Sequence, residues 1–211
     1  MDHPPAVREI AEYDCRRAGV HLNSAEFERL MEFVAARTHE TAPQQLWQLA
    51  QSEQTSPGLL AVLLPDVWRN KLDDCALPLQ AWREMFTVVP YTADRALTPR
   101  PGRGRWLYRG ATAEHRDGLS WTTNHAIALY FATHRQHPGT SGTVWECFVP
   151  PHRMHAYLAD EHEYIADVRD LPIVDCRHGR PRRMRLRVRP RVRRWPRGQA
   201  DRLRSRPGIG A

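Results

Sequence analysis

Three short pieces in the second half of the chain carry the residue types that chemistry needs. Arg109 closes the strand-like run Trp106-Leu107-Tyr108-Arg109 just before Gly110. A fixed guanidinium there can hold a phosphate or ribose oxygen through two parallel hydrogen bonds, or it is a surface arginine beside a turn. Ser120 and Thr122 flank Trp121. Strand alternation points both hydroxyls to one face, where they can orient a carboxylate or a ligand, or else cap a following helix. Glu161 and Glu163 form a Glu-x-Glu pair in Asp160–Asp167. On a strand the two carboxylates would share a face, and like charges at that distance push one pKa upward. That arrangement suits a division of labour, one group stabilising positive charge while the other accepts a proton. With Asp160 adjoining, the stretch also reads as an acidic turn.

Other constellations point elsewhere. His152, His155 and His162 lie close together, but the stretch has no His-Glu-x-x-His pattern and starts at Pro150-Pro151. Scattered surface histidines are expected there, and no metal site. Cys15, Cys75, Cys147 and Cys176 are far apart with no Cys-x-x-Cys pair. Reduced thiols in a cytoplasmic protein are the expectation. Cys147 alternates within an apolar strand and reads as core, not nucleophile. No Gly-x-Ser-x-Gly elbow occurs. The lone Gly102-Arg103-Gly104 precedes a strand, the wrong order for a dinucleotide fingerprint.

The elements that must hold these residues fall into two halves. Residues 1–90 read as helical, with Ser24 capping a helix whose Phe27, Leu30, Met31 and Val34 recur at helical spacing. Pro43, Pro57, Pro65 and Pro78 punctuate the helical segments at starts or breaks, and Trp47, Trp68 and Trp82 read as core anchors. Residues 91–105, rich in Pro, Gly and Arg, read as a linker. Residues 106–175 read as a strand-rich α+β core. They include an amphipathic helix over Asn124–Arg135, capped by Asn124 or Thr123, with Ile127, Tyr130 and Phe131 on one side. Strands after helices argue for an α+β fold.

Charge divides the same chain differently. Cys176–Ala211 carries 14 arginines and one acid, Asp201, for a charge of +13, so the preceding 175 residues carry −6 within a total of +7. An Arg/Pro-rich tail with few apolar side chains reads as disordered, although Met184, Leu186 and Val188 alternate with arginine as on a basic-faced edge strand. No stretch of 18 apolar residues exists, so a transmembrane helix is not expected, and no signal peptide is visible.

Taken in order, Tyr108-Arg109-Gly110, Ser120-Trp121-Thr122 and Glu161-His162-Glu163 resemble the motifs of the ADP-ribosyltransferases of the R-S-E class, over roughly residues 106–170. The resemblance implies a small split β-sheet domain that consumes NAD as substrate. Arg109, with Gly110 beside it, would hold the pyrophosphate or adjacent ribose. Ser120 would fix the rotamer of the catalytic glutamate, Thr122 would line the same strand, and Tyr130 or Phe131 would stack on the nicotinamide. Glu163 would accept a hydrogen bond from the ribose 2′-OH and stabilise the oxocarbenium-like charge. Glu161 would orient or deprotonate the acceptor, which in Glu-x-Glu members is an arginine side chain. The middle motif reads Ser-Trp-Thr where the family usually has Ser-Thr-Ser.

The implied activity is mono-ADP-ribosylation of a macromolecular, protein acceptor by a cytoplasmic, toxin-like enzyme. The competing expectation is a non-enzymatic interaction protein whose arginine-rich tail binds nucleic acid with steep salt dependence.

Overall fold

The computed structural model describes residues 3–71, 77–134 and 142–178. Most of the basic tail, with the expectations attached to it, lies outside them. Five helices come first: α1 (Pro5–Ala18), α2 (Ser24–Ala36), α3 (Ala42–Ala50), α4 (Pro57–Asn70) and α5 (Leu79–Val88). The strands follow: β1 (Thr92–Ala93), β2 (Ala96–Leu97), β3 (Arg105–Ala111), β4 (Ser120–Thr122), β5 (Thr143–Val149), β6 (Met154–Leu158), β7 (Glu163–Ala166) and β8 (Ile173–Asp175). One further helix, α6 (His125–His134), sits between β4 and β5. The fold is α+β, with a mixed sheet ordered β2-β1-β6-β7-β4-β3-β5-β8, in which β1 and β6 pair parallel and the rest antiparallel.

The α2 cap differs from expectation. Asn23, not Ser24, caps it, because a capping box needs a glutamate three residues on. Asn23 Oδ1 accepts from the Glu26 amide at 3.0 Å, and the Asn23 amide donates back to Glu26 Oε2 at 3.3 Å. Pro65 also departs from its expected role, since it lies inside α4. An interior proline costs about 3 kcal/mol, but every residue from Leu59 to Trp68 is buried. Each large apolar side chain there contributes about 1.5–3 kcal/mol, so burial outweighs the proline.

The stretch read as a linker is partly sheet. Thr92 and Ala93 pair with Ala156 and Tyr157 of β6, and Asp94 and Arg95 turn the chain into β2. Both turn residues have positive φ, 50° and 71°, as a two-residue hairpin of right-handed twist demands. Arg95 then reaches back to Asp66 of α4 at 2.6 Å, and Arg17 of α1 meets the same carboxylate at 3.0 Å. The helical half and the sheet share one core, in which Leu119, Ala156, Leu158 and Ile165 join Trp68, Trp82 and Phe86. The opposite face buries Leu107, Trp121, Cys147, Tyr164 and Ala166 in a second cluster.

The α6 face is also corrected. Ala128 and Ala132 are buried, whereas Tyr130 and Phe131 are 52% and 45% exposed. Small residues win because the helix backbone lies directly on β3 at Gly110 and beside Gly142. A Cβ at Gly110 would stand 2.5 Å from the Ala132 amide nitrogen, and one at Gly142 would be 2.9 Å from Ala132 Cα. Asn124 Oδ1 accepts from the Ala126 amide at 2.9 Å at the helix start. No described helix is long and apolar enough to cross a membrane.

Candidate functional site

The strands carrying the three motifs are neighbours, in the order β7-β4-β3. Register places Thr122 opposite both Glu163 and Tyr108, and Tyr108 opposite Glu146 of β5. A row of four side chains, Glu163-Thr122-Tyr108-Glu146, therefore crosses one face of the sheet. Glu163, Thr122 and Glu146 are buried. His125, at the start of α6, packs edge-on against Tyr108 with ring centroids 5.4 Å apart.

Glu163 is the centre of this arrangement. It is 8% exposed, and its carboxylate accepts a hydrogen bond from Trp68 Nε1, at 3.3 and 3.4 Å to its two oxygens, while the Ser120 hydroxyl lies near enough to act on it electrostatically. Burial pushes its pKa up to about 7. The Ser120 hydroxyl pulls against that rise, the Glu161 charge adds to it, and Lys71 and the Trp68 indole pull against it. The Thr122 hydroxyl accepts from the Asn124 amide at 3.0 Å, so it shapes the entry to α6 from within the row.

The Glu-x-Glu pair does not share one strand: Glu163 opens β7, and Glu161 belongs to an acidic turn, the alternative reading of this stretch. Leu158 pairs with Glu163, which leaves Ala159–His162 as the hairpin loop, with His162 at φ +50°. Glu161 is thus an exposed loop residue, its Oε1 3.4 Å from Arg69 Nε, while Asp160 takes Arg69 Nη2 at 2.7 Å. Its charge still reaches Glu163.

Arg109 is placed differently from the others. Alternation along β3 sets it on the face of Trp121 and Tyr164, opposite Glu163. Its guanidinium wraps the β3–β4 connection, with Nε donating to the His115 carbonyl at 2.9 Å and Nη1 to the Ser120 carbonyl at 2.8 Å. Gly118 lies directly against it, since a Cβ there would stand 2.6 Å from Arg109 Cζ. Arg109 therefore fixes the backbone that presents Ser120. Gly110 is occupied by its contact with α6, and the exposed Tyr130 stacks on His134 with centroids 5.0 Å apart.

Two site residues escaped the sequence reading. Trp68 is a core anchor, as its type predicts, but its helical spacing gives no hint that the indole N–H would find Glu163. Glu146 is the one acid in the apolar strand Thr143–Val149, a signal that could have singled it out. Among the described residues no group of three or more His, Cys, Asp or Glu could hold a metal ion. Cys147 is buried, and burial pushes its thiol up to about 11, as suits a packing residue. A groove along α3 and α5 is lined by Trp47, Gln80, Arg83, Met85 and Arg169, none of them in the carboxylate row. Comparison of the chain with protein-family models, with curated proteins and with solved structures gives no match in any of the three.

Proposed function

We propose that this chain is a mono-ADP-ribosyltransferase that takes NAD as substrate and passes ADP-ribose to a macromolecular acceptor, an arginine side chain of a protein. The reading rests on one observation above all: Ser120 and the buried Glu163 lie on one face of paired neighbouring strands, with the Ser120 hydroxyl holding the carboxyl's pKa down, the proximity that the ordered motifs imply.

In this reading the ionised Glu163 accepts a hydrogen bond from the nicotinamide ribose 2′-OH. The glycosidic C–N bond breaks, its electron pair leaves with nicotinamide, and the carboxylate stabilises the cationic sugar. An acceptor guanidino nitrogen then bonds to the anomeric carbon and gives up a proton, which Glu161, exposed in the loop before β7, takes. Arg109 acts through Ser120, whose carbonyl it holds, instead of by the phosphate contact that the resemblance implies. The fold proposed for residues 106–175 is accordingly the ADP-ribosyltransferase-like split sheet.

The test is incubation of the purified chain and its Glu163→Gln variant with labelled NAD and an arginine-rich protein. Nicotinamide release and label transfer by the wild type, reduced at least a hundredfold in the variant, support the proposal. Equal background from both sinks it. Salt-sensitive binding of nucleic acid by an inactive chain would favour the role of the tail instead.

A further inference from the structure

We propose that the last turn of α4 is the positioning element of the Glu-x-Glu pair, with Trp68 orienting Glu163 and Arg69 holding Glu161. The inference rests on the reading of Glu163 as the catalytic carboxylate, and it makes the helical half of the chain part of the active site.

Two consecutive residues of one helix engage the two acids. Trp68 Nε1 faces both oxygens of Glu163 at 3.3 and 3.4 Å, and Arg69 Nε stands 3.4 Å from Glu161 Oε1. Neighbouring helix positions point about 100° apart, so one turn can reach both a strand residue and the loop before it.

The turn is held rigidly. Trp68 is 5% exposed and packs edge-on against Trp82 and Phe86 at 5.2 and 5.4 Å, contacts that restrict the indole's rotation. Asp66, one half-turn earlier, is tied to Arg17 and Arg95, and Lys71 Nζ sits 4.2 Å from the Trp68 ring centroid.

A buried indole N–H needs an acceptor, but a backbone carbonyl or a glutamine would satisfy it without burying a charge. Placing a carboxylate there is costly, and the raised pKa of Glu163 records that cost. The expense is explained if the N–H locks the one rotamer that catalysis uses and favours its ionised form. The other groups acting on Glu163 are the Ser120 hydroxyl, the Glu161 carboxylate and the Lys71 ammonium.

The experiment joins an activity readout to one that needs no activity. Trp68→Phe keeps the ring and removes the N–H. It should lower kcat for NAD cleavage about tenfold, the value of a hydrogen bond to a charged group, leave KM within about twofold, and move the acidic limb of the rate profile to higher pH. Arg69→Gln should depress transfer to an arginine acceptor more than it depresses NAD cleavage. In 15N-labelled protein the Trp68 indole signal, assigned by its loss in Trp68→Phe, should shift with a midpoint near 7 in the wild type and stay still in Glu163→Gln. An indole signal indifferent to Glu163, or a Trp68→Phe enzyme with unchanged or faster turnover, overturns the positioning role. If the wild type cleaves no NAD, the enzymatic reading fails separately, and the indole titration still decides whether Trp68 governs Glu163.

Discussion

The backbone of α6 rests on β3 at Gly110, which lies so close to Ala128 that a methyl group would collide with the Ala128 carbonyl oxygen. This contact sets the depth of the helix against the sheet and so the position of His125 beside Tyr108. Gly110→Ala must push backbone against backbone, which no side-chain rotation relieves. The expected loss is about 2–3 kcal/mol of unfolding free energy, read from urea denaturation. Gly102→Ala, with nothing within 4 Å of the added carbon, should stay within about 0.5 kcal/mol of wild type.

Glu163→Gln should trade activity for stability. The folded carboxyl ionises near 7 against a reference of 4.5, so between those pH values the folded state holds a proton that the unfolded chain has lost. Stability of the wild type therefore falls as pH rises from 4.5 to 7. Glutamine abolishes that fall and should add about 1–3 kcal/mol at pH 8 and nothing below pH 4.5. Denaturation at the two pH values measures the difference.

The same titration governs catalysis in the proposed mechanism, because only the ionised carboxylate stabilises a cationic sugar. NAD cleavage should rise through pH 7 as Glu163 loses its proton, with a single acidic limb in kcat. A flat profile from pH 5.5 to 8.5 would detach the rate from this group.

His155, buried on β6 beside Phe86, carries an opposite dependence. Burial, with the Arg100 charge adding to it, lowers its pKa to about 4 from 6.5. The unfolded chain then binds the extra proton, so stability falls as pH drops from 6.5 to 4, by up to about 3 kcal/mol. Glu163 works the other way over part of that range, so the comparison belongs in the Glu163→Gln background. There His155→Leu should remove the acid-side decline in melting temperature.

Arg109→Lys tests whether that residue acts through the loop. One ammonium cannot copy the two donors that reach His115 and Ser120. Losing one such bond is worth about 1.5 kcal/mol or more, so amides of residues 115–120 should exchange about tenfold faster with solvent. NAD cleavage should fall through kcat, with Ser120 no longer held under Glu163.

Much of this architecture is written in local order along the chain. The helical first half, the strands at Arg105–Ala111 and Thr143–Val149, and the change of character between the halves follow from periodicities that neighbouring residues impose on one another. Local rules also erred where two similar signals competed. Ser24 and Asn23 differ by one residue, and only the partner at Glu26 chooses between them. An alternating Glu-x-Glu looks like a strand until the pairing of Leu158 with Glu163 closes a loop around Glu161.

That Ser120 and Glu163 share a face was legible as types and order, because a strand shows which side chains alternate together, whereas Arg109 falls on the opposite face. Which strands lie side by side, and what covers them, depends on contacts between residues far apart in the chain. Trp68 and Glu163 are 95 positions apart, and no spacing rule links them. Only the packing of α4 onto β7 brings an indole N–H to a buried carboxylate, and the same burial gives that acid a pKa suited to chemistry near neutral pH.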